Sequence, residues 1–313
     1  MNKVFCIVGP TASGKSSLAL SLAQNFHTEI ISADSVQIYQ SMDIGSAKPT
    51  QKEREAVNHH LIDITSIDEP VSVAAFRDIA FPIIDEINAR NSVPIVVGGS
   101  GLYISSITNP LTFAVPSDEK IREEIRNRYL TEPHAVYEEL RKTDPETAAR
   151  LHINDGKRIV RALEVFYCSG VKMSEHGNDF QNKQNTDPPY DSCIIGIEMD
   201  RAVLYERINQ RVDEMMENGL LEEVKSIYSQ NFDRSLPAMQ ALGYKQLFQY
   251  FDGLVDLDTA VDNIKKETRH FAKRQTTWFK RDERIHWIRF DGRNTKELFD
   301  IAAEYYEDFR RLS

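Results

Sequence analysis

Residues 9–16, Gly9-Pro10-Thr11-Ala12-Ser13-Gly14-Lys15-Ser16, match G-x-x-x-x-G-K-[ST] at every required position. The chemistry this pattern performs is oxyanion binding. Glycines let the chain wrap until backbone N–H groups converge on phosphate oxygens, and a following helix adds the partial positive charge of its N-terminus. Lys15 supplies a point charge, and the Ser16 hydroxyl can hold a magnesium ion. Asp34 closes a second apolar run at 29–33. Ligands of open parallel sheets sit at the carboxyl ends of strands, so Asp34 is expected on the rim of the glycine loop. There it would act as a general base or reach magnesium through water; the alternative is a cap on the next helix. Gly98-Gly99-Ser100-Gly101 ends a third run and is dense enough in glycine to predict close approach to a ligand. Arg207 and Arg211, four residues apart on one helical face, either point at a polyphosphate or form a solvated face with Glu206 and Glu214.

These residues need a frame, and the flanks predict one. Residues 4–8 form a short continuous apolar run of the kind that makes a buried parallel strand, and residues 17–23 open a helix. Strand, glycine loop and helix in that order are the context a phosphate loop requires. Further apolar runs at 58–64, 93–97, 192–197 and 285–290 alternate with helical repeats at 72–91, at 200–215 (capped by Asp200) and from Thr295 onward. Between 117 and about 170 the chain is charged and helical in pattern, with Ser117 and Asn154 as candidate caps and Gly170 as a stop. Pro237 is expected to start a short helix interrupted at Gly243-Tyr244. Asp258 is expected to cap a long basic helix with an apolar stripe of Val261, Ile264, Phe271 and Trp278. The predicted fold is α/β: a P-loop NTPase-like doubly wound parallel sheet with an inserted all-helical domain and a helical C-terminal region. The expected divisions are 1–116, 117–187 and 188–313.

The chain of 313 residues is 41% hydrophobic and 27% charged, a globular composition, with no run near the roughly 18 apolar residues of a membrane span. It enters a strand almost at once, so no cleavable leader is expected. Cys6, Cys168 and Cys193 lack metal-ligand spacing and read as buried or partly buried free thiols of a reducing compartment, which predicts the cytoplasm. His59-His60 lacks a third ligand and reads as structural. The net charge of −10 argues against nucleic acid, yet residues 265–281 carry seven Lys and Arg against Glu267 alone. Lys157, Arg158 and Arg161 form a second basic group. Two localised basic groups beside a phosphate site predict a long polyanionic partner.

Read together, 9–16, the Asp34-Ser35-Val36-Gln37-Ile38-Tyr39 run, residues 42–49 (MDIGSAKP), 97–103 (VGGSGLY), 158–166 (RIVRALEVF) and 273–279 (KRQTTWF) closely resemble the tRNA dimethylallyltransferases, also called tRNA isopentenyltransferases. The similarity runs nearly the whole length, in order. It implies magnesium-dependent transfer of a dimethylallyl group from its diphosphate to N6 of adenosine 37, in the anticodon stem-loop of tRNAs reading codons that begin with U. By the resemblance, residues Gly9 to Ser16 cradle the donor diphosphate instead of hydrolysing ATP, Lys15 and Arg211 steady it, and Asp34 takes the N6 proton. Ser100 contacts tRNA where the family usually has Thr, and Arg122 is another contact. Further tRNA-contacting stretches are implied at Asp34, Ser35, Val36 and Gln37; at Lys157, Arg158 and Arg161; at Gln240, Gly243, Tyr244 and Lys245; and at Lys273, Arg274, Gln275, Thr277 and Lys280. Ser16 also replaces a commoner Thr. The C-terminal zinc finger of eukaryotic members is not seen, which implies a bacterial form, expected to be monomeric and without membrane attachment. Two other readings follow from the residues alone: prenylation of free AMP, ADP or ATP, and an RNA-binding P-loop switch driven by nucleotide hydrolysis.

Overall fold

The computed structural model describes residues 1–111, 118–176 and 187–312. The chain forms two compact units, one of Met1–Asn109 with Pro188–Ser313 and one of Pro110–Asp187. In the first unit β1 (Lys3–Val8) runs into α1 (Lys15–Phe26), followed by β2 (Ile30–Ser32), α2 (Gln51–Ala56), β3 (His59–His60), α3 (Val73–Ala89), β4 (Ile95–Gly98) and α4 (Gly101–Thr108). The second unit holds α5 (Glu119–Thr131), α6 (Pro133–Thr143), α7 (Pro145–Arg150), α8 (Gly156–Ser169) and a 3₁₀ turn at Met173–His176. The first unit resumes with β5 (Asp191–Glu198), α9 (Arg201–Glu217), α10 (Leu220–Ser229), α11 (Tyr244–Phe251), α12 (Leu257–Phe279), β6 (Ile285–Arg289) and α13 (Thr295–Arg311).

The six strands form one parallel sheet in the order β3-β2-β4-β1-β5-β6. Both faces are covered, which is why the strands read as continuous apolar runs. Phe5 and Ile7 of β1 pack with Leu18 and Leu22 of α1 and with Leu298 and Tyr306 of α13. Val4, Cys6 and Val8 pack the other way, against Phe76 and Ile84 of α3 and Ile104 of α4. A third cluster joins Ile38, Tyr39 and Met42 to α9–α12 through Val212, Val224, Tyr244 and Ile264. The second unit has its own core of Ile125, Val136, Leu140, Ile159 and Leu163. Among the described residues no helix is long and apolar enough to cross a membrane.

The strand order places three chain ends side by side. The glycine loop leaves β1 at the centre, residues 99–101 leave the neighbouring β4, and Asp34 follows β2 on β4's other side.

Several local expectations are corrected. The strand expected over 58–64 is only two residues long, because Leu61 and Asp63 take left-handed backbone conformations at φ 63° and 58°. The cap of α12 is Asp256, which accepts from the Thr259 amide. The N-cap of α8 is Asp155, not Asn154. Ser117 lies outside the described residues; Asp118 caps α5 by accepting from Lys120 N and Ile121 N. Gly243 starts α11 at φ 89° where an interruption was expected. Cys6 is buried and Cys193 half-buried as expected, but Cys168 is exposed. The buried line of α12 is Ala260, Ile264, Ala272, Gln275 and Phe279; Val261, Phe271 and Trp278 lie on its shoulders.

Candidate active site

The loop after β1 is shaped by its own backbone. Gly14 sits at φ 92°, a conformation L side chains rarely adopt, and the non-glycine Ala12 is held at φ 63°. Such a conformation persists only where the surroundings over-determine it. Here Arg207 Nε donates to the Ala12 carbonyl at 2.9 Å, and its Nη1 to Gly292 O at 3.3 Å. Gln275 Oε1 accepts from the Thr11 amide at 2.8 Å. Arg207 is therefore a strut beneath the loop as well as a wall of its cleft.

Lys15 Nζ donates to Pro10 O at 3.2 Å. Burial, and then the nearby Arg211 guanidinium, pull the Lys15 ammonium down to about 8, against an opposing pull from Asp34. Burial likewise lowers Arg211, again opposed by Asp34. Two neighbouring cations lining one cleft favour the arrival of an anion.

Asp34 Oδ1 accepts from the amides of Val36 at 2.8 Å and Gln37 at 3.3 Å. The side chain thus caps the turn that follows it, not the next helix, which Thr50 caps, and still lines a cleft. Ser100 Oγ accepts from the Ser35 amide at 3.2 Å, joining the ends of β2 and β4. Gln37 accepts from Ser32 Oγ at 2.8 Å and donates to the carbonyls of Ser46 and Ala47. These bonds carry the rim out to the 43–47 loop.

Two clefts meet here. One, of about 390 Å³, is lined by Gly14, Lys15, Ser16, Gln37, Lys48, Arg207, Arg211 and Glu214. The other, of about 740 Å³, is lined by Thr11, Asp34, Ser35, Ser100, Tyr103, Gln240, Phe271 and Arg274, among others. Ala12, Ala47 and Arg211 belong to both. Ser16 is exposed in the first cleft with Glu214. Among the described residues no group of three acidic, His or Cys side chains could hold a metal by itself. A hard divalent ion there would draw ligands from Ser16, an anionic ligand and water, which suits magnesium.

The remaining candidates divide by burial. Lys157, Arg158, Lys245, Lys273, Arg274, Thr277 and Lys280 are exposed, Lys280 in an ion pair with Glu198 at 2.9 Å. Gln240 is exposed and donates to Arg234 O. Others are held inside and unavailable to a large partner in this state. The Gln275 side chain is buried and spent on Thr11 N and Gly99 O. The Tyr244 ring is buried, and its hydroxyl donates to Glu223 Oε1 at 2.6 Å. Gly243 is buried but keeps a place in the wall of the second cleft. In the second unit Arg122 and Arg161 share the fully buried Glu164, at 3.1 and 3.0 Å. Each stays about a third exposed, so both are first of all core partners of Glu164. The glycines at 98–101 also have another cause. A methyl at Gly99 would meet Gln275 Nε2, and one at Gly101 would meet the Trp278 ring, so the close approach is that of α12. His59 and His60 are structural: they bond Val57 O and Glu29.

Glu223 was not singled out from sequence. One oxygen of its carboxylate accepts from the amides of Asp43 and Ile44 at 2.9 and 2.7 Å, the other from Gly45 N at 3.0 Å. Its neighbour Glu222 is identical in type, so only the fold distinguishes them.

A glycine loop between a central parallel strand and a helix, with Lys15 and Arg211 beside it, is a P-loop-like arrangement whose geometry suits an oxyanion. The chain belongs to the IPP transferase family, whose family model matches residues 37–282. It is 46% identical to a tRNA dimethylallyltransferase of Geobacillus thermodenitrificans, over 99% of this chain and 96% of that one. Its structure is similar to the full-length tRNA isopentenylpyrophosphate transferase of Bacillus halodurans at TM-score 0.71 and 38% identity, covering 98% of each chain. It matches a eukaryotic dimethylallyltransferase acting on tRNA at TM-score 0.82 and 28% identity, over 98% of this chain and 80% of that one.

Proposed function

We propose that this chain transfers a dimethylallyl group from dimethylallyl diphosphate to N6 of adenosine 37 in tRNAs reading codons that begin with U, releasing diphosphate. The observation that carries the reading is the junction of the two clefts. Lys15 and Arg211 line the smaller one, Asp34 lines the larger, and Arg211 belongs to both. A diphosphate in the smaller cleft puts its allyl carbon at the mouth of the larger, where a base can enter.

The N6 nitrogen attacks the allylic carbon as that carbon's bond to the diphosphate oxygen breaks, and the N6 proton leaves to Asp34. Both amide bonds to Asp34 end on Oδ1, which leaves Oδ2 to take that proton. An exocyclic adenine amine is a weak nucleophile and an allylic diphosphate ionises readily, so stabilising the leaving charge is the larger task. Lys15, Arg211 and the loop amides do this, while Arg207 and Gln275 hold the loop in shape. Magnesium bound at Ser16 would neutralise further charge on the diphosphate.

The target base must leave its stack to enter the larger cleft. Lys273 and Arg274 on α12, and Lys157 and Arg158 on α8, are exposed cations suited to RNA phosphates. A cytoplasmic, monomeric enzyme fits this role.

The test is transfer from labelled dimethylallyl diphosphate, with magnesium, to anticodon stem-loops bearing adenosine or guanosine at position 37 and to AMP. Label on the adenosine stem-loop alone is expected. Label on AMP at equal rate, or on nothing, would overturn the reading.

A further inference from the structure

We propose that Gln275 is a positioning residue that couples RNA binding on α12 to the shape of the phosphate loop, so that occupancy of the RNA face tightens binding of the allylic diphosphate. The proposal rests on the functional reading above for the identity of the two ligands. Its geometry is independent of that reading.

Gln275 lies on the buried line of α12, and its amide is used at both ends. Oε1 accepts from the Thr11 amide at 2.8 Å, and Nε2 donates to the Gly99 carbonyl at 3.0 Å. One side chain therefore ties α12 to the loop after β1 and to the end of β4. The join is close: Gly99 carries no side chain because Gln275 occupies that space, and Trp278, one turn on, does the same at Gly101.

Lys273, Arg274 and Thr277, on the same two turns, face solvent. A rigid helix that bears exposed cations on one side and a bond to the phosphate loop on the other cannot shift on one side alone. Thr11 itself lines the larger cleft, while Gly14 and Lys15 line the smaller, so a change at the Thr11 amide is felt in both. Polar groups buried this deeply are costly to leave unpaired, so the two bonds hold and the phosphate loop follows a movement of the helix. Gln275 is thus the contact through which the proposed coupling would run, since any coupling between two sites requires a contact that differs between their states.

The test measures the dissociation constant of dimethylallyl diphosphate with and without a saturating adenosine-37 stem-loop, for the wild-type chain, Gln275→Leu and Gln275→Glu. The wild-type ratio is expected to be about 5-fold or more, the lower end of ordinary coupling. Gln275→Leu, which makes neither bond, is expected to bring it near unity. Gln275→Glu keeps an acceptor for Thr11 N but no donor for Gly99 O, and an intermediate ratio is expected. Hydrogen exchange gives a second readout: RNA alone should slow exchange of the 9–16 amides in the wild type and not in Gln275→Leu. Should the leucine variant not fold, the glutamate variant and its exchange pattern decide. An unchanged ratio in a folded variant, or a wild-type ratio of one with both ligands bound, overturns the coupling and leaves the functional reading standing. Failure of the wild-type chain to bind either ligand overturns the functional reading, and this proposal with it.

Discussion

The phosphate loop and the exposed face of α12 both present cations, and they do so in opposite ways. Lys15 and Arg211 are half-buried in the cleft, Lys15 donating to the Pro10 carbonyl, and burial pulls both below their ordinary values. Lys273 and Arg274 stand in solvent at the surface of a 23-residue helix. A small polyanion that must be stabilised as its charge grows needs few, fixed, dry cations, because charge interactions strengthen as water is excluded. A long polyanion is held by many screened contacts, each weak and salt-dependent. The two regions should therefore respond differently to mutation, salt and pH.

The largest effect should come from the dry side. Lys15→Ala is expected to lower kcat by about 10²–10³-fold, as for loss of one preorganised donor to a developing anion. RNA affinity, measured by filter binding, should stay within about 2-fold. Next comes the wet side. Lys273→Glu with Arg274→Glu should weaken stem-loop binding and flatten the log–log salt dependence by about 2 units, one for each lost phosphate contact. Donor affinity without RNA should not change. Equal losses of donor and RNA affinity in that variant would erase the contrast.

A smaller effect sharpens the difference inside the second unit, where basic residues divide again. Glu164→Ala removes the buried partner of Arg122 and Arg161 and the acceptor of the Asp118 amide. Both arginines are about a third exposed and can rehydrate, so the cost should lie near about 3 kcal/mol, the low end for breaking such a pair. Thermal unfolding measures it. Lys157→Ala, at an exposed position, should leave stability within about 0.5 kcal/mol.

The smallest effect is one of pH. Lys15 titrates near 8 in the free protein, and an anionic donor would raise that value, so donor binding above pH 8 takes up a proton. Donor affinity should fall as pH rises past about 8, and Lys15→Met should remove that step. The sign for stability is opposite. Between about 8 and the ordinary 10.5 the unfolded chain holds this proton more tightly than the folded one. This group's contribution to the stability of the ligand-free protein therefore rises with pH across that window.

What the sequence made legible follows the same division. The glycine loop, the strand–helix alternation and the position of Asp34 are local patterns with a known geometric consequence, and the all-parallel six-stranded sheet follows from them. The state of each candidate side chain is not local. Gln275 sits among Lys273, Arg274 and Thr277 in sequence, but the helix turns it a hundred degrees per residue, and packing against Gly99 decides which line is buried. Arg122 pairs with a carboxylate 42 residues away, and Arg161 with the same one three residues on, whose complete burial only the fold decides. The 98–101 glycines predicted close approach to a ligand, and the pattern could not say that helix α12 approaches Gly99 and Gly101 while the Ala33 backbone approaches Gly98. Glu223 left no signal at all, since a carboxylate that binds three loop amides is recognised only by where the loop returns.

The central claim is that Asp34, in the larger cleft, serves the chemical step and contributes little to the affinity of either ligand. Single-turnover transfer by Asp34→Asn, with labelled dimethylallyl diphosphate and the adenosine-37 stem-loop both saturating, tests this most directly. The chemical step should slow by about 10²–10⁴-fold, the range for a positioned general base, while both dissociation constants stay within about 2-fold. An unchanged single-turnover rate, or a loss confined to donor or RNA affinity, would contradict it.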